Sequence, residues 1–137
     1  SPSPENSIRS FIDFTNNDEP ARERLTLIVP ENYEKELFAF TKASVDDYLN
    51  SLNIDRTNLK LISSQIFEGF GRHLAEGLGL KSEQIIDVFN EFGDPHTSAL
   101  NLAYHIGAAK QLYQPGDQLL FVAAGSGLSV ACALYTV

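Results

Sequence analysis

Apolar residues along the chain follow two patterns: short continuous runs, and longer stretches in which they recur every three or four positions. The short runs are typical of buried strands, and they cover residues 8–14, 25–29, 59–63, 85–89, 119–123 and 128–135. The longer stretches predict amphipathic helices over residues 31–52, 65–78 and 97–112. From residue 25 onward, strands and helices therefore alternate until two strands close the chain.

This alternation predicts the fold class. Strands separated by helices pair in parallel, so we expect a layered α/β domain with a five-stranded, mixed and mostly parallel sheet and helices on its faces. The last two runs are joined only by Gly125, Ser126 and Gly127, so they should pair antiparallel. Residues 1–7 hold two prolines and three serines and nothing to bury, which predicts a linker before a domain that spans residues 8–137.

Composition narrows the possible functions. The formal net charge of −8 and the pI near 4.7 argue against binding to nucleic acid or to an anionic membrane, because lysine and arginine drive both interactions. The one cysteine, Cys132, cannot form an internal disulfide and fits a reducing compartment. No apolar stretch reaches the ~20 residues of a membrane span, and the first residues lack signal-peptide character. We therefore expect a cytoplasmic protein.

The stretch from Phe92 to Ala99 carries candidate chemistry. It joins the strand-like run at residues 85–89 to a predicted helix, and in an open α/β sheet ligands bind beyond the carboxyl ends of the strands. Gly93 permits a tight turn, and His96 follows it at the entry of the helix. Two interpretations of His96 stay open: a residue that lines a site, and a loop histidine that hydrogen-bonds its own turn.

Five segments, taken in order, resemble one known family. They are EKELFAF at 34–40, LISSQ at 61–65, NEFG at 90–93 followed by HTSA at 96–99, QPGD at 114–117 and GSGL at 125–128. Together they are similar to the C-terminal half of ketoacyl-ACP synthase III, within the thiolase-fold condensing enzymes. The resemblance covers nearly the whole chain from about residue 8. Its specificity lies in the order of the segments rather than in any one of them.

The resemblance implies a thiolase-like half within a pseudo-twofold protein of two such halves. In the family, the other half supplies a nucleophilic cysteine. This half supplies a histidine and an asparagine, which stabilise the enolate oxygen when a malonyl thioester loses carbon dioxide. The resemblance further implies an acyl-CoA or acyl-ACP substrate with no separate cofactor and no metal, a homodimer, and a role in fatty acid or polyketide biosynthesis.

The chain departs from the family at the positions that carry this chemistry. Ser64 stands where the family has its histidine, and Phe67 stands where the family's His-Gln-Ala-Asn motif ends. A serine hydroxyl cannot act as a base near neutral pH. The family's turn has an asparagine directly before Thr-Ser-Ala, and His96 stands at that place here. The resemblance therefore implies His96 and an impaired Ser64 in the catalytic positions. The residues expected to contact substrate are Gln65, Phe67, Gly125, Ser126 and Gly127.

Several of these residues also have a plainer interpretation. Ser64 is suited to cap a helix that begins just after it, and residues 125–127 are suited to a tight turn rather than a phosphate cradle. Cys132 lies in a small-residue apolar run and is interpreted as a buried structural thiol rather than a nucleophile. His73 and His105 have no partner at metal-ligand spacing and are interpreted as surface or interface residues.

Three functional hypotheses follow from these observations. The first is the C-terminal domain of a 3-oxoacyl-ACP synthase III-like acyltransferase, inactive alone, which needs a cysteine from an absent N-terminal half. The second is a degenerate, non-catalytic half or partner subunit that completes a condensing-enzyme dimer, and the third is an isolated acyl-thioester binding module. Loss of the family's histidine favours acyl transfer over decarboxylative condensation, because acyl transfer needs less enolate stabilisation.

Overall fold

The computed structural model describes residues 9–13, 24–125 and 127–137. Its strands are β1 Arg9–Asp13, β2 Arg24–Ile28, β3 Leu59–Ser63, β4 Gln118–Gly125 and β5 Ser129–Thr136. Its helices are α1 Tyr33–Ser51, α2 Phe70–Gly77, α3 Phe89–Phe92 and α4 Ala99–Ala109, with 3₁₀ turns at Arg56–Asn58, Ser82–Gln84 and His96–Ser98. The linker predicted at residues 1–7 lies outside the described residues.

Two sheets replace the single predicted one. β1 and β2 form an antiparallel pair of their own, whereas β3, β4 and β5 form a three-stranded sheet in that order. β3 runs parallel to β4, and β4 pairs antiparallel with β5, which confirms the prediction for the last two strands. The expectation of five strands in one mostly parallel sheet is therefore wrong, because the described residues form a mixed sheet of three strands.

The apolar run at residues 85–89 shows why the predicted strand count was too high. It meets β3 at one parallel bridge, between Leu61 and Ile85. Two residues further on, Oδ1 of Asp87 accepts the amide of Phe89 at 2.8 Å, where α3 begins. A local side-chain acceptor thus ends the extended segment before a ladder can form.

The predicted helices are present, with different lengths. α1 lies within its predicted range and buries one stripe at four-residue spacing, formed by Tyr33, Leu37, Thr41, Val45 and Leu49. α2 is shorter than predicted, because residues 64–69 are not helical and Gly69 precedes the helix in the left-handed conformation, with φ of 83°. α4 begins at Ala99, after a 3₁₀ turn. No helix in the described part of the chain is long and apolar enough to cross a bilayer.

Helices cover both faces of the three-stranded sheet. On one face, α1 and α2 pack around a cluster that includes Leu61, Phe70 and Leu120. On the other face, α4 packs around a smaller cluster that includes Ile62 and Ala103. Leu61 and Ile62 thus point to opposite faces, as successive residues of a strand do. This three-layer arrangement confirms the layered α/β class and brings the carboxyl ends of β3 and β4 to one edge.

One surface of this unit is apolar and open. α4 buries only three of its eleven residues. Its Tyr104 stacks on Tyr113, with ring centroids 5.8 Å apart, and meets Tyr135 of β5 edge-on at 6.4 Å. Tyr104 is 39 % exposed and Tyr135 is 52 % exposed. Ala131 and Ala133 of β5 are exposed on the same side as Tyr135. We call these five residues the α4–β5 face.

Candidate active site at the carboxyl edge of the sheet

The carboxyl edge of the three-stranded sheet collects most of the predicted site residues. Ser64 and Gln65 follow directly after β3, and Gly125 ends β4 beside them. The segment before α3 also meets β3 at one parallel bridge, between Leu61 and Ile85. Parallel strands end together, and the sheet therefore brings together residues that are far apart in sequence.

Ser64 joins the ends of β3 and β4. Its amide donates to the carbonyl of Val122 at 2.9 Å, and its Oγ accepts the amide of Ala124 at 2.8 Å. The carbonyls of Val122 and Ala124 lie 3.5 and 3.4 Å from Oγ as acceptors for its proton. The interpretation of Ser64 as a helix cap is wrong, because α2 begins only at Phe70 with Gly69 as its N-cap. The hydroxyl is instead engaged with the backbone of β4.

Gln65 and Phe67 follow Ser64 and are turned toward the protein interior. Gln65 is 3 % exposed, and its Nε2 donates to the carbonyl of Ser63 at 3.4 Å. Its Oε1 is buried and finds no hydrogen-bond partner among the described residues. Phe67 is half-buried and packs edge-on against Phe70, with ring centroids 5.3 Å apart. Phe67 therefore contributes apolar packing, and no polar group, at the position where the resemblance places an asparagine.

His96 lies on the surface of its own turn. Its side chain is 85 % exposed, and its backbone has a positive φ of 50°. The amide of His96 donates to Oδ1 of Asp94 at 2.8 Å, and Oδ2 lies 3.3 Å from Nδ1 of the imidazole. Among the described residues, no hydrogen bond or ring contact joins His96 to Ser64. Nδ1 of the ring thus lies beside a carboxylate of its own turn. A site-lining role for His96 stays a prediction.

The connection between β4 and β5 contains a turn at Gly127 and Leu128. Gly125 pairs with Ser129 at the end of the β4–β5 ladder, and Gly127 takes a φ of 77° that favours glycine. The turn leads into a strand, so it lacks the helix N-terminus that a phosphate cradle uses. Ser126, between the two glycines, lies outside the described residues.

Cys132 lies inside β5, away from this turn. It pairs with Val122 in the ladder and packs against the cluster under α1 and α2. Its side chain is half-buried, and this burial raises the pKa of the thiol. A raised pKa keeps the sulfur protonated near neutral pH, so Cys132 fits the structural interpretation rather than that of a nucleophile.

The described part of the chain contains no candidate metal site. No group of three or more His, Cys, Asp or Glu side chains there could hold an ion. His73 lies on an exposed side of α2, with Nδ1 4.0 Å from Oε2 of Glu76. His105 is exposed on α4. Both histidines have the surface positions expected from the sequence.

Gly71 is a contributor to this edge that the sequence pattern did not single out. The first turn of α2 packs so close to β3 that a Cβ on Gly71 would lie 2.8 Å from Oγ of Ser63 and 3.9 Å from Nε2 of Gln65. The absence of a side chain at residue 71 therefore lets α2 pack closely against the end of β3 and against Gln65, which follows it. A glycine inside a predicted helix was the available signal.

Comparison with known proteins agrees with this geometry. A family model described as 3-Oxoacyl-[acyl-carrier-protein (ACP)] synthase III C terminal matches residues 49–137. Among solved structures, the chain is similar to the 3-oxoacyl-(acyl carrier protein) synthase III FabH of Pseudomonas aeruginosa PAO1, with 18% identity, a TM-score of 0.73 and coverage of 96% of this chain and 43% of that one. The FabH of Thermus thermophilus gives 18% identity, a TM-score of 0.73 and coverage of 96% and 46%. Cerulenin-bound OleA of Xanthomonas campestris gives 14% identity, a TM-score of 0.66 and coverage of 74% and 32%.

These matches bear on the fold and on the length of the chain. The chain spans less than half of each of the three solved proteins named above. A search of curated proteins found no match. At these identities the solved structures show a shared α/β fold. The family match confirms the resemblance, and its range holds four of the five sequence segments, all but the one at residues 34–40.

Proposed function

Because the chain belongs to the family of 3-oxoacyl-[acyl-carrier-protein] synthase III C-terminal domains, we propose that it is the C-terminal half of an acyltransferase whose nucleophilic cysteine lies in an N-terminal half. The substrate is an acyl-CoA or acyl-ACP thioester, in fatty acid or polyketide biosynthesis. The observation that carries the proposal is the carboxyl edge, where Ser64 and Gln65 follow β3 and Ser64 accepts the amide of Ala124 at the end of β4. These residues lie in two of the segments that resemble the family.

The side chains at this edge favour acyl transfer over condensation. An enolate needs preorganised donors aimed at its oxygen, each worth on the order of 3 kcal/mol. Ser64 offers one hydroxyl, which already accepts from Ala124 and faces two carbonyls. Transfer of an acyl group from a cysteine thioester to a second nucleophile needs a proton acceptor instead. We assign this role to His96, whose imidazole is exposed and has Nδ1 3.3 Å from Oδ2 of Asp94.

The exposed apolar surface of this unit supports the presence of a second half that packs against it. The α4–β5 face exposes Tyr104 and Tyr135, and the eight residues of β5 include no charged residue and no proline. Free edge strands are ordinarily protected by charges or prolines, and large exposed apolar patches mark interaction surfaces. We assign the N-terminal half to this face. The assembled protein is a homodimer, as the family resemblance implies.

Intact mass spectrometry of the full polypeptide tests the proposed acyltransferase. After incubation with acyl-CoA donors of different chain length, we expect a mass increase of one acyl group, mapped to a cysteine outside residues 1–137. Substitution of that cysteine by alanine should abolish the adduct, and Cys132→Ala should leave it intact. An adduct on Cys132, or no adduct with any donor, would contradict the proposal.

A degenerate structural half is the second candidate function. It is favoured by the engagement of Ser64 with backbone groups and by the exposure of His96 on its own turn. In this case the chain completes the fold and shapes the acyl tunnel without touching the reacting atoms.

Two variants of the full polypeptide separate the candidates. If His96 is the proton acceptor, His96→Ala should lower acyl transfer by about 100-fold or more, and Asp94→Asn should lower it by less. If the chain is a structural half, both variants should keep the turnover of the unchanged protein.

A further inference from the structure

Two glutamines of the described chain are almost completely buried, and they differ in their hydrogen bonds. Gln84 is 7 % exposed. Its Nε2 donates to two backbone carbonyls at 2.6 and 2.7 Å, and its Oε1 accepts a backbone amide at 3.0 Å. Gln65 is 3 % exposed, and its Nε2 makes one long hydrogen bond, 3.4 Å to the carbonyl of Ser63, while its Oε1 has no partner among the described residues. Gln84 is therefore a bonded structural amide, whereas Gln65 is not.

The inward position of Gln65 is energetically unfavourable. A buried acceptor that has given up water and found no donor costs free energy, and one long hydrogen bond from the same amide returns little of it. Exchange of the two amide atoms would bring Oε1 against the carbonyl oxygen of Ser63, so that two acceptors would face each other. A second position of the side chain is therefore favoured wherever it offers partners to both amide atoms.

The backbone around Gln65 allows the side chain to turn. Residues 64–69 are not helical, and Gly69 ends this segment in the left-handed conformation. On the interior side the amide faces the first turn of α2, where a Cβ on Gly71 would lie 3.9 Å from Nε2. On the other side Gln65 directly follows Ser64, whose Oγ is hydrogen-bonded to the end of β4. Rotation about the side-chain torsions carries the amide away from α2 and toward the carboxyl edge.

The other described side chains at this edge offer few donors for a developing negative charge. Acyl transfer passes through an intermediate with a negatively charged oxygen, which is stabilised by N–H and O–H groups aimed at it. The hydroxyl of Ser64 accepts a backbone amide and faces two carbonyls as acceptors for its proton. Phe67 has no polar side-chain atom, and His96 has the proposed role of proton acceptor. The amide group of Gln65 thus holds N–H donors that the fold itself barely uses.

We propose that Gln65 is a catalytic donor of the acyl-thioester site. When a thioester binds, the side chain turns out of the interior, and Nε2 donates to the carbonyl oxygen of the acyl group as negative charge develops there. Oε1 leaves its unpartnered position in the same movement. No covalent bond forms or breaks at Gln65. This role rests on the proposed acyltransferase and deepens it, by naming a group that stabilises the reacting oxygen.

Steady-state kinetics of the full polypeptide tests this role, with Gln65→Met and Gln84→Met as a matched pair. Methionine has a similar length and no N–H donor. We expect Gln65→Met to lower the kcat of acyl transfer by about 100-fold and to change KM by less than about threefold, because the hydrogen bond strengthens as charge develops. Gln84→Met, at the other end of β3, should keep the kcat of the folded protein.

Urea unfolding of the same two variants compares the two amides. Gln65→Met should leave the unfolding midpoint unchanged or higher, because it removes an acceptor that has no partner. Gln84→Met should lower the midpoint, because two carbonyls and one amide of the backbone lose their partner. If Gln65→Met does not fold, Gln65→Asn carries the kinetic test. It withdraws the amide by one methylene and should lower kcat by about tenfold or more.

A crystal structure of the acylated full polypeptide tests the movement itself. We expect Nε2 of Gln65 within about 3.2 Å of the acyl oxygen. A Gln65 that stays turned inward beside the acyl group, or an unchanged kcat in the folded Gln65 variant, would overturn the proposal while the acyl adduct upholds the acyltransferase. If no acyl adduct forms with any donor, the acyltransferase proposal is wrong, and the donor role of Gln65 is wrong with it.

Discussion

Ser64 has a structural role that can be measured separately from any catalysis. Ser64→Ala removes the acceptor for the amide of Ala124 at the half-buried ends of β3 and β4. We expect the free energy of unfolding to fall by about 1–2 kcal/mol, measured by urea denaturation. The control is Ser51→Ala, which removes an exposed hydroxyl that donates to the carbonyl of Tyr48 and should change stability by less than about 0.5 kcal/mol. Equal losses in the two variants would contradict this role.

Ser64→His tests the chemistry of the same position. A histidine there returns the donor that the family resemblance implies, aimed at the developing enolate. We expect the full polypeptide to raise its rate of malonyl decarboxylation by about tenfold or more, and its rate of acyl transfer by less. Carbon dioxide release from malonyl-CoA and acyl transfer are measured side by side. Equal effects on both rates, or no effect on either, would refute the distinction.

The positions of these residues along the secondary structure were easier to predict from the sequence than their contacts. The position of Ser64 after an apolar strand could be predicted, whereas its bond to Ala124 depends on which strand pairs with β3. The start of α2 could not be predicted from periodicity, because a left-handed Gly69 delays it. The turn around His96 had a readable signal in Asp94, two residues earlier, since aspartate often accepts an amide at that spacing.

At the scale of elements, the packing of α2 on β3 depends on Gly71. A Cβ there would lie 2.8 Å from Oγ of Ser63, so Gly71→Ala should lower the free energy of unfolding by about 1–3 kcal/mol, despite the better helix propensity of alanine. Gly77→Ala in the same helix meets only the flexible side chain of Lys42, at 3.1 Å, and should be within about 1 kcal/mol of neutral. Denaturant unfolding of both variants makes the comparison. A neutral Gly71→Ala would mean that the helix can move away from the strand.

The contact between α1 and the segment before β3 depends on pH through Asp46. Burial by itself raises the pKa of Asp46, but hydrogen bonds from Lys42 and Arg56, at 2.8 and 2.9 Å, together with their charges, lower it below its ordinary value. The carboxylate therefore stabilises the fold above the unfolded-state pKa of about 4, and this stability is lost as the pH falls through the lower folded-state pKa.

Asp46→Asn should accordingly destabilise the fold by about 1 kcal/mol near neutral pH, and by progressively less below about pH 4. Urea unfolding over this pH range measures the difference. The neighbouring Asp47→Asn, at an exposed position of α1, is the control and should show little effect at any pH. A difference for Asp46→Asn that stays constant across the range would exclude ionisation as its cause.

Element types were more predictable than their partners. The sequence pattern identified α1 because it buries one side chain in four, and β3 because it buries nearly its whole length. Periodicity could not separate a run that pairs fully from one that only lies beside a strand, as at residues 85–89, where Asp87 ends the extension. The early run at residues 25–29 was also predicted to join the main sheet, but among the described strands β2 pairs with β1 alone.

At the scale of the whole molecule, the layered α/β class followed from the sequence, while the open surface did not. An apolar residue on α4 or β5 has the same sequence signal whether its own chain or another half covers it. In this structure some of these apolar residues are not buried. Tyr135, in the uncharged edge strand β5, and Tyr104 of α4 remain exposed. Exposed apolar surface of this kind is typical of an interaction surface, and the proposed N-terminal half would cover it.

Ala133→Lys tests whether another half covers the α4–β5 face. Ala133 is exposed here, so a lysine should destabilise residues 1–137 alone by less than about 0.5 kcal/mol. In the full polypeptide the same lysine would be buried without a partner, and we expect a loss of about 2 kcal/mol or more in the free energy of unfolding. Ala43→Lys, on an exposed position of α1, should have little effect in both lengths of chain. If Ala133→Lys were equally mild in both, the N-terminal half would have to dock elsewhere.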